Sequence, residues 1–509
     1  MATLLLDNCT VRTLDPAAPE LGSLAIAGEL IVAAPAPDAR RVDLGGACVV
    51  PGFADAHVHF PTWALGLRQV RLDGVRSLDE ALERVAAGLA RVAPGGWLRG
   101  LGWRDGDWPD SPTRAALDRV AGGVPVALMS KDYHSLWLNS AALARADGPL
   151  ETPGGVVERD ERGELLGVLR ENAAWSFRDS YVRPGVDEMV EAVREGMRVA
   201  SARGVTAIHD KDGWLGALEV YERLLEDGEL DLRVWQSLPW DRLEELSALG
   251  LRSGFGHELL RIGYLKGFMD GTLGSATARL LDGSGVEITS RAGLEDVIRR
   301  AAEAHWPVGV HAIGDAANRA ALDAFEATRE LWAPRGLRQR IEHAQLLAPE
   351  EVERFARVGV AASVQFSHAP SDRDLAERLW EGRQGAYAYR SLLDAGALLA
   401  NGSDAPVEEL DPLAGIVAGV LRTLDDRPAW RPDQAVSVEE ALHATCVTPA
   451  WLEHQDRRRG RLRAGMLADL VVLDRDPLAC PPAELSELSV LATMLAGRWT
   501  FAADGAPVS

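Results

Sequence analysis

Cysteine and long apolar runs are both scarce in this sequence. Four cysteines (Cys9, Cys48, Cys446 and Cys480) are widely spread and form no CxxC pair, which excludes a disulfide framework and favours a reducing cytoplasm. The first residues, MATLLLDNCTVRTLD, lack the basic segment and the apolar stretch of a signal peptide. No run of about 18 apolar residues occurs, so no transmembrane helix is expected.

Positive charge is also in deficit. The 509 residues contain 54 Lys and Arg against 76 Asp and Glu, which gives a formal net charge of −22. Nucleic acids and anionic membranes are bound by basic patches, so we expect neither partner. With 47% hydrophobic and 26% charged residues, the chain has the composition of a soluble globular protein with a sizeable core.

Both ends of the chain carry short apolar runs that Gly and Asp interrupt, a pattern typical of short β-strands. They include SLAIAG and LIVAA near the start, and LADLVVLD and SVLATML near the end. Because chain termini usually lie close together, we predict one small β-sandwich from residues 1–50 and 456–509. Two unrelated terminal sheets are the alternative.

Between the ends, eight apolar runs of strand length alternate with longer segments of helical periodicity. The runs cover residues 49–57, 204–210, 232–238, 261–270, 307–315, 340–347, 359–366 and 397–404. Eight such repeats predict an α/β fold, a (β/α)8 TIM-type barrel over residues 51–455. A doubly wound parallel sheet fits the alternation too, but eight repeats favour closure.

The interval from about 68 to 185, after the first barrel strand, is too long for a loop. It has strand and helix signals of its own and several tryptophans. We therefore predict an inserted subdomain beside the barrel mouth.

His57 and His59 finish the first run, in PGFADAHVHF. Side chains alternate along a strand, so the two imidazoles point to the same side, here into the barrel. A single histidine at a strand end is more often structural. A pair at this spacing, near the carboxyl ends of barrel strands, indicates two metal ligands.

Lys266 lies in the apolar run YLKGFMD. A lysine buried in a barrel strand is costly unless it is paired or chemically modified. One interpretation is an ion pair with Asp270 on the same face. The other is a carboxylated lysine, in which bound CO2 turns the cation into an anionic bridge between two metals.

Three further polar residues end three further strands: His311 in VGVHAIGD, His343 in RIEHAQ and Asp404 in NGSDAPV. Each has an ordinary structural explanation, as a helix cap or as a satisfied histidine. Together with the first three residues they set four imidazoles and two anionic groups around one cavity. This donor set suits zinc first, with manganese, iron or nickel as alternatives.

These motifs, with GYLKGFMDGTLGSATA and the C-terminal GRLRAGMLADLVVLD, resemble the metal-dependent amidohydrolase superfamily, in particular its YtcJ-like branch, which contains N-substituted formamide deformylases. DYHSLWLNSAAL and GVLRENA within the insertion are similar to that branch as well. The resemblance covers nearly the whole chain. It implies one or two zinc ions held by six side chains: His57, His59, Lys266, His311, His343 and Asp404. Similar enzymes are often dimers, so a homodimer is one expected state.

The resemblance implies hydrolysis of a non-peptide C–N bond, in an amide or formamide, by metal-activated hydroxide. Asp404 takes the proton of the water and delivers it to the leaving nitrogen. Ester, lactone or carbamate hydrolysis at the same metal centre is the alternative, since the same attack serves each carbonyl. A metal-free barrel scaffold is a second alternative. A mononuclear deaminase is disfavoured, because AIGD follows His311 where similar deaminases have an H-x-x-E pattern.

Further residues are candidates for contact with a small substrate that has an apolar portion. Large aromatic side chains can form the wall of such a pocket, although they serve equally as the core of the insertion. We predict substrate contacts for Trp103, Trp108, His134 and Asp270, with Arg104 and Asp105 beside the first two. A substrate contact by Arg170 is implied by the family resemblance alone. His209, which ends the second strand, and His368, which follows the seventh, receive weaker predictions.

Overall fold

The computed structural model describes residues 3–93, 95–104 and 108–508. The chain forms two compact units: one comprises Met1–Phe60 and Met197–Ser509, and the other comprises Pro61–Gly196. Among the described residues, no helix is both long enough and apolar enough to cross a membrane.

The first unit contains a sheet of eight parallel strands that are hydrogen-bonded in chain order, and this confirms the predicted barrel. The strands are Phe53–Val58, Val205–Asp210, Arg233–Pro239, Leu260–Phe268, Val308–Ala312, Arg340–His343, Ala361–Val364 and Leu399–Asn401. All eight coincide with the apolar runs of the sequence. Their residues are almost all buried, as expected where helices cover a parallel sheet.

Backbone hydrogen bonds bring the two outermost strands of this sheet together at their carboxyl ends. The Asp404 N–H donates to the carbonyl of His57 at 2.7 Å, and the His59 N–H donates to the carbonyl of Ala405 at 2.8 Å. The first strand is thereby attached to the segment that follows the eighth. These bonds hold two of the predicted metal ligands against a third.

Amphipathic helices follow most of the barrel strands. In Arg291–Glu303, Ser290 caps the amino end by accepting a hydrogen bond from the Gly293 N–H, and Leu294, Ile298 and Ala301 form the buried face. The other α-helices of this unit are Ala217–Glu226, Leu243–Ala248, Asp315–Ala327, Arg329–Trp332, Pro349–Val358, His368–Ser371, Arg373–Leu379, Tyr389–Asp394, Pro412–Leu421, Val438–Leu442 and Thr448–Leu452. Short 3-10 or π-helical turns are Asp212–Leu215, Trp240–Arg242, Ala333–Arg335, Pro432–Gln434, His443–Val447 and Pro482–Glu487.

The two chain ends share one six-stranded sheet. Its strands, in spatial order, are Arg498–Ala502, Val490–Leu495, Leu470–Leu473, Cys48–Pro51, Thr10–Arg12 and Glu20–Leu21. A four-stranded sheet contains Leu30–Val32, Leu24–Ala27, Thr3–Asp7 and Arg40–Asp43. Apolar side chains from both sheets, among them Ile26 and Val472, form one core.

The run at 49–57 is not one strand, as the sequence analysis expected, but two. Cys48–Pro51 pairs with the C-terminal strand Leu470–Leu473, whereas Phe53–Val58 enters the barrel. The break falls at Gly52, where a Cβ atom would lie only 2.3 Å from the Thr206 hydroxyl oxygen. Glycine is therefore required where the chain passes from one sheet to the other.

The second unit, Pro61–Gly196, begins about 7 residues before and ends about 11 residues after the predicted limits of about 68 and 185. Its six-stranded sheet contains, in spatial order, Gly155–Arg159, Leu165–Glu171, Ser135–Leu138, Val126–Ser130, Leu98–Trp103 and Val70–Arg71. Helices of this region are Phe60–Gly66, Leu78–Leu89, Arg114–Ala121, Ser140–Leu143, Asn172–Phe177 and Val186–Ala202, with the π-helical turn Arg178–Val182. The unit has hydrophobic clusters of its own on both sides of the sheet.

Candidate metal centre

His57, His59 and Asp404 form a compact group at the carboxyl ends of the first and eighth barrel strands. The Nε2 atoms of His57 and His59 lie 3.3 and 3.7 Å from Asp404 Oδ1. One nitrogen or oxygen from each of the three residues lies within 4.8 Å of the others. The imidazoles of His57 and His59 therefore lie on the same side of the strand, as the alternation of side chains predicts, and both point to the Asp404 carboxylate.

Asp404 has a left-handed backbone conformation, with φ of 57°, three residues after the last barrel strand ends. Burial opposes ionisation of its carboxyl group, but the neighbouring His57, hydrogen-bonded to it, and His343 outweigh burial and hold its pKa well below the usual value. The carboxylate is therefore charged at neutral pH and faces a cluster of imidazoles.

His343 links the remaining histidines to this group. Its ring centroid lies 4.6 Å from that of His57 and 4.6 Å from that of His311. Its Nδ1 is 3.9 Å from Asp404 Oδ2. Burial, followed by the neighbouring His311 and His57, holds the pKa of His343 well below its usual value. The imidazole is thus neutral, the form in which histidine binds a metal.

Lys266 is buried, with 2% of its surface exposed. Its Nζ donates to the carbonyl of Gly267 at 3.4 Å and lies 4.4 Å from the centre of the Phe268 ring. Burial is the main cause that lowers its pKa to about 8. With a pKa of about 8, the amine is mostly protonated at pH 7 but has a far larger neutral fraction than an ordinary lysine.

Asp270, the alternative ion-pair partner of Lys266, is engaged by backbone amides. Its Oδ1 accepts a hydrogen bond from Ile313 N at 3.0 Å, and its Oδ2 accepts from Gly314 N at 2.8 Å and Arg279 N at 2.9 Å. Burial raises its pKa to about 7. These bonds attach the segment after the fourth strand to the segment after the fifth. Substrate contact by Asp270 stays a prediction.

Three of the clustered imidazoles are oriented by an oxygen acceptor at Nδ1. Each of these nitrogens lies 2.8–2.9 Å from its acceptor: His57 from Glu342, His59 from Asp212 and His343 from Gln365. A proton on Nδ1 leaves the lone pair on Nε2, the atom that would bind a metal. His311 differs, because its Nε2 donates to the carbonyl of Gly271 at 3.0 Å.

Glu342 is the centre of a buried charged network that the sequence analysis did not identify. Lys211 Nζ lies 3.1 Å from Glu342 Oε1 and also donates to the carbonyl of Ala56, while Arg340 Nε lies 3.1 Å from the same oxygen. Burial opposes ionisation, but Arg340 and Lys211 keep the pKa of Glu342 well below its usual value. The only signal in the sequence is that Glu342 directly precedes a predicted ligand.

The donor chemistry of the cluster fits a divalent metal. Within the described part of the chain, two groups of residues present ligand atoms within 4.8 Å of one another, and they share Asp404: the first contains His57 and His59, and the second contains His343 and His368. Imidazole nitrogen with carboxylate oxygen is the donor set of zinc and of several other first-row metals. His368, a weak prediction from the sequence, thus lies in the same cluster.

His209, the other weak prediction, belongs to a separate buried network. Arg340 donates to its Nδ1 at 2.7 Å, and its Nε2 donates to Glu453 Oε1 at 2.7 Å. Glu453 also contacts Arg459. Burial lowers the pKa of His209 to about 3. The pKa of Glu453 falls to about 2 because Arg459 and His209 outweigh burial. His209 therefore has a structural role here.

This network predicts that the protein loses stability in acid. Glu453 stabilises the fold above its ordinary pKa of 4.5, and this contribution is lost as the pH falls towards 2. His209 adds a loss between pH 6.5 and about 3, because only the unfolded chain takes up its proton there. Glu453→Gln is expected to lower the free energy of unfolding at pH 7 by about 3 kcal/mol.

Urea unfolding at pH 7, pH 5 and pH 3.5 measures both effects, because the step from pH 7 to 5 reports His209 and the step from pH 5 to 3.5 adds the loss at Glu453. The matched control is Glu439→Gln, the same change at an exposed helical position. We expect the control to behave as the wild type. A Glu453→Gln protein as stable as the control would contradict the assigned role of the pair.

Four of the predicted substrate residues belong to the second unit. Trp103 and Trp108 are 1% and 7% exposed, and their ring N–H groups donate to the carbonyls of Leu128 and Val75. These contacts give both rings a packing role in that unit, and a substrate contact stays a prediction. Asp105 lies outside the described residues.

His134 and Arg170 are partly buried polar residues of the same unit. His134 Nδ1 lies 2.7 Å from Glu171 Oε2, and its ring packs edge-on against Trp175. Arg170 pairs with Glu158 and donates to the Ser135 hydroxyl at 3.1 Å. Both predictions of substrate contact stay predictions.

Known proteins that this chain resembles include amidohydrolases and metal-dependent hydrolases, as a cluster of metal-binding residues would suggest. The Amidohydrolase family matches residues 40–501. The YtcJ amidohydrolase of Bacillus subtilis is 31% identical, with 91% of each chain covered, and an N-substituted formamide deformylase of Arthrobacter pascens is 30% identical, with 99% of each chain covered. An uncharacterized metal-dependent hydrolase from Pyrococcus horikoshii has a TM-score of 0.79 at 27% identity, with 95% of this chain and 99% of that chain covered. The chain therefore belongs to the amidohydrolase family and is a metal-dependent hydrolase of carbon–nitrogen bonds.

Proposed function

We propose that this enzyme hydrolyses a small non-peptide amide, and in particular a formamide with an apolar N-substituent. The observation that carries the proposal is the ionised Asp404, which lies within 4 Å of His57, His59 and His343 at the carboxyl ends of the barrel strands. The similarity to an N-substituted formamide deformylase over nearly the full length of both chains supports the substrate class.

His57, His59, His311, His343, Lys266 and Asp404 are the residues that would hold the metal, and we propose zinc. Bound there, it would lower the pKa of a water molecule to about 7 and polarise the carbonyl group of the substrate. The neutral state of His343 and the ionised state of Asp404 support this assignment, since metal ligands must be deprotonated.

Asp404 is the proposed proton carrier. An amine is a poor leaving group unless it is protonated, so amide hydrolysis requires a group that moves a proton from water to nitrogen. Asp404 takes that proton at its carboxylate while the water oxygen forms its bond to the carbonyl carbon. It then gives the proton to the nitrogen as the carbon–nitrogen bond breaks.

Aromatic side chains of the barrel unit support an apolar substrate portion. The Phe268 ring lies 5.3 Å from the ring of His311 and 5.7 Å from that of Trp214. Trp214 is 41% exposed, which is unusual for so large an apolar residue. Neither residue is among the sequence predictions. An N-substituent packed on these rings would leave the carbonyl group near the histidines.

Carboxylation of Lys266 is part of the proposal. The lone pair of its neutral Nζ attacks the carbon of CO2, a proton is released, and the lysine becomes an anionic ligand. We expect Lys266→Ala to lose about 100-fold or more in activity and to regain part of it when acetate or propionate is added, because these acids replace the missing carboxylate. The same acids added to the wild type are the control. Full activity of Lys266→Ala without rescue would contradict the bridging role.

A panel of substrates tests the function itself. Zinc-loaded protein is assayed against N-alkyl and N-aryl formamides, the matching acetamides, and esters, lactones and carbamates of similar size. We expect the highest kcat/KM for a formamide or another amide. A higher kcat/KM for an ester, lactone or carbamate than for any amide would show that this class is the substrate instead. No turnover of any compound, together with substoichiometric metal, would indicate a scaffold protein.

We also propose a cellular setting for the enzyme. All four cysteines are free, and two of them, Cys48 and Cys446, are buried, which supports a reducing compartment such as the cytoplasm. A homodimer stays a prediction, and sedimentation equilibrium of the purified protein tests it.

A further inference from the structure

His368 has an unassigned position within the metal cluster. It begins the short helix His368–Ser371 after the seventh barrel strand and is 4% exposed. Its ring is stacked with that of His343 at 6.3 Å, and its Nε2 lies 3.8 Å from Asp404 Oδ2, beyond hydrogen-bond distance. Among the described residues this Nε2 has no hydrogen-bond partner. A buried polar atom of this kind implies a partner that arrives from outside the chain.

The hydrogen bond that Nδ1 of His368 makes determines whether Nε2 carries a proton. His57, His59 and His343 each present Nδ1 to an oxygen, so each keeps its lone pair on Nε2. His368 presents Nδ1 to the amide nitrogen of Gln345, at 3.0 Å. Since the amide N–H donates, Nδ1 is the acceptor and the proton of the neutral ring is on Nε2.

The orientation of the Gln345 amide agrees with the surrounding contacts. As it stands, one N–H donates to His368 and Oε1 is the atom left without a partner among the described residues. If the amide were reversed, its NH2 group would take the place of Oε1. Buried N–H groups without partners are rarer in proteins than buried carbonyl oxygens that lack one. The orientation with the proton on His368 Nε2 is therefore favoured.

We propose that His368 is not a metal ligand but a hydrogen-bond donor, whose Nε2–H binds the carbonyl oxygen of the substrate. This inference rests on the proposed function. The donor faces the same space as Asp404, where the carbonyl oxygen gains negative charge as the water attacks. A donor fixed in place before the reaction stabilises this charge without reorganisation.

Two substitutions separate the donor from a ligand. His368→Ala removes the Nε2–H, whereas His368→Gln replaces it with an amide N–H of similar reach. We expect His368→Ala to lower kcat/KM by about 10²–10³-fold, the usual effect of removing one such donor. His368→Gln should regain most of this loss. His443→Ala, at a partly buried helical position, is the matched control and should behave as the wild type.

Three measurements do not depend on the identity of the substrate. The zinc content of His368→Ala should equal that of the wild type. In ¹⁵N-histidine-labelled, zinc-loaded protein, the resonance missing from His368→Gln should have the shift of a protonated Nε2. Methylphosphonate, a stable tetrahedral oxyanion, should bind His368→Ala about 10-fold more weakly than the wild type, which is the loss of one hydrogen bond of about 1.4 kcal/mol.

Loss of zinc in His368→Ala, or an unprotonated Nε2, would make His368 a ligand and overturn the proposal. Equal methylphosphonate affinity in the wild type and His368→Ala, including no binding by either, would overturn it as well. If the substrate panel shows no amide hydrolysis, the proposed function fails, and the zinc, ¹⁵N and methylphosphonate measurements still decide the role of His368.

Discussion

Asp404→Asn is expected to lower kcat/KM by about 10³-fold or more, while the protein keeps its fold. The asparagine side chain has nearly the same shape, but it cannot accept and return a proton at neutral pH. It also removes the negative charge that lies next to His57 and His343. Steady-state kinetics on a substrate from the panel measure the loss, and circular dichroism checks the fold.

Asp426→Asn is the matched control, since it makes the same change at an exposed position. We expect this control to have wild-type kinetics. The zinc content of Asp404→Asn separates a lost proton carrier from a lost ligand. An Asp404→Asn enzyme with the wild-type rate would remove Asp404 from the mechanism.

The second large effect is expected at His57. His57→Ala removes an imidazole that is 1% exposed and that lies between Glu342 and Asp404. Removing a residue that only hydrogen-bonds to a metal ligand typically weakens metal binding by about 10–100-fold. Because His57 is itself a proposed ligand, we expect His57→Ala to lose more than about 100-fold in zinc affinity. Activity should fall in parallel with metal content. Competition with a zinc chelator measures the affinity.

His443→Ala serves again as the control for loss of a histidine outside the cluster. Its zinc affinity should equal that of the wild type. A His57→Ala protein that binds zinc as tightly as this control would contradict the ligand assignment.

The barrel could be predicted because each strand is encoded locally. Eight apolar runs coincide with the eight strands, and the helices between them show buried residues at helical spacing, as Leu294 and Ile298 do. The cluster at the strand ends follows from the same pattern. In a parallel barrel all carboxyl ends meet at one face, so His57 and Asp404 are neighbours although nearly 350 residues separate them.

The residues that hydrogen-bond to the histidines of the cluster could not be predicted, because these contacts join side chains that lie far apart in the sequence. Glu342 reaches His57 across 285 residues, and Asp212 reaches His59 across 153. Nothing in the local pattern of KDG or RIEH indicates these pairs. For Trp103 and Trp108 the sequence leaves both a core role and a pocket role open, since aromatic residues serve either.

Two backbone features also escaped the sequence pattern. The apolar run at 49–57 reads as one strand, but Gly52 divides it because a side chain there would meet Thr206. Asp404 and His343 have positive φ angles of 57° and 75°, which no local preference of these residues requires. Tertiary contacts impose these conformations at the cluster, where they direct the side chains towards one another.

Metal analysis of the purified wild-type protein tests the central claim most directly. Protein dialysed against zinc and then freed of unbound ions is measured by mass spectrometry for metal per chain. If the clustered histidines and Asp404 form a metal centre, at least one equivalent should remain bound and should be lost in His57→Ala. A wild-type chain that retains only a small fraction of an equivalent would contradict the metal centre and the hydrolase mechanism built on it.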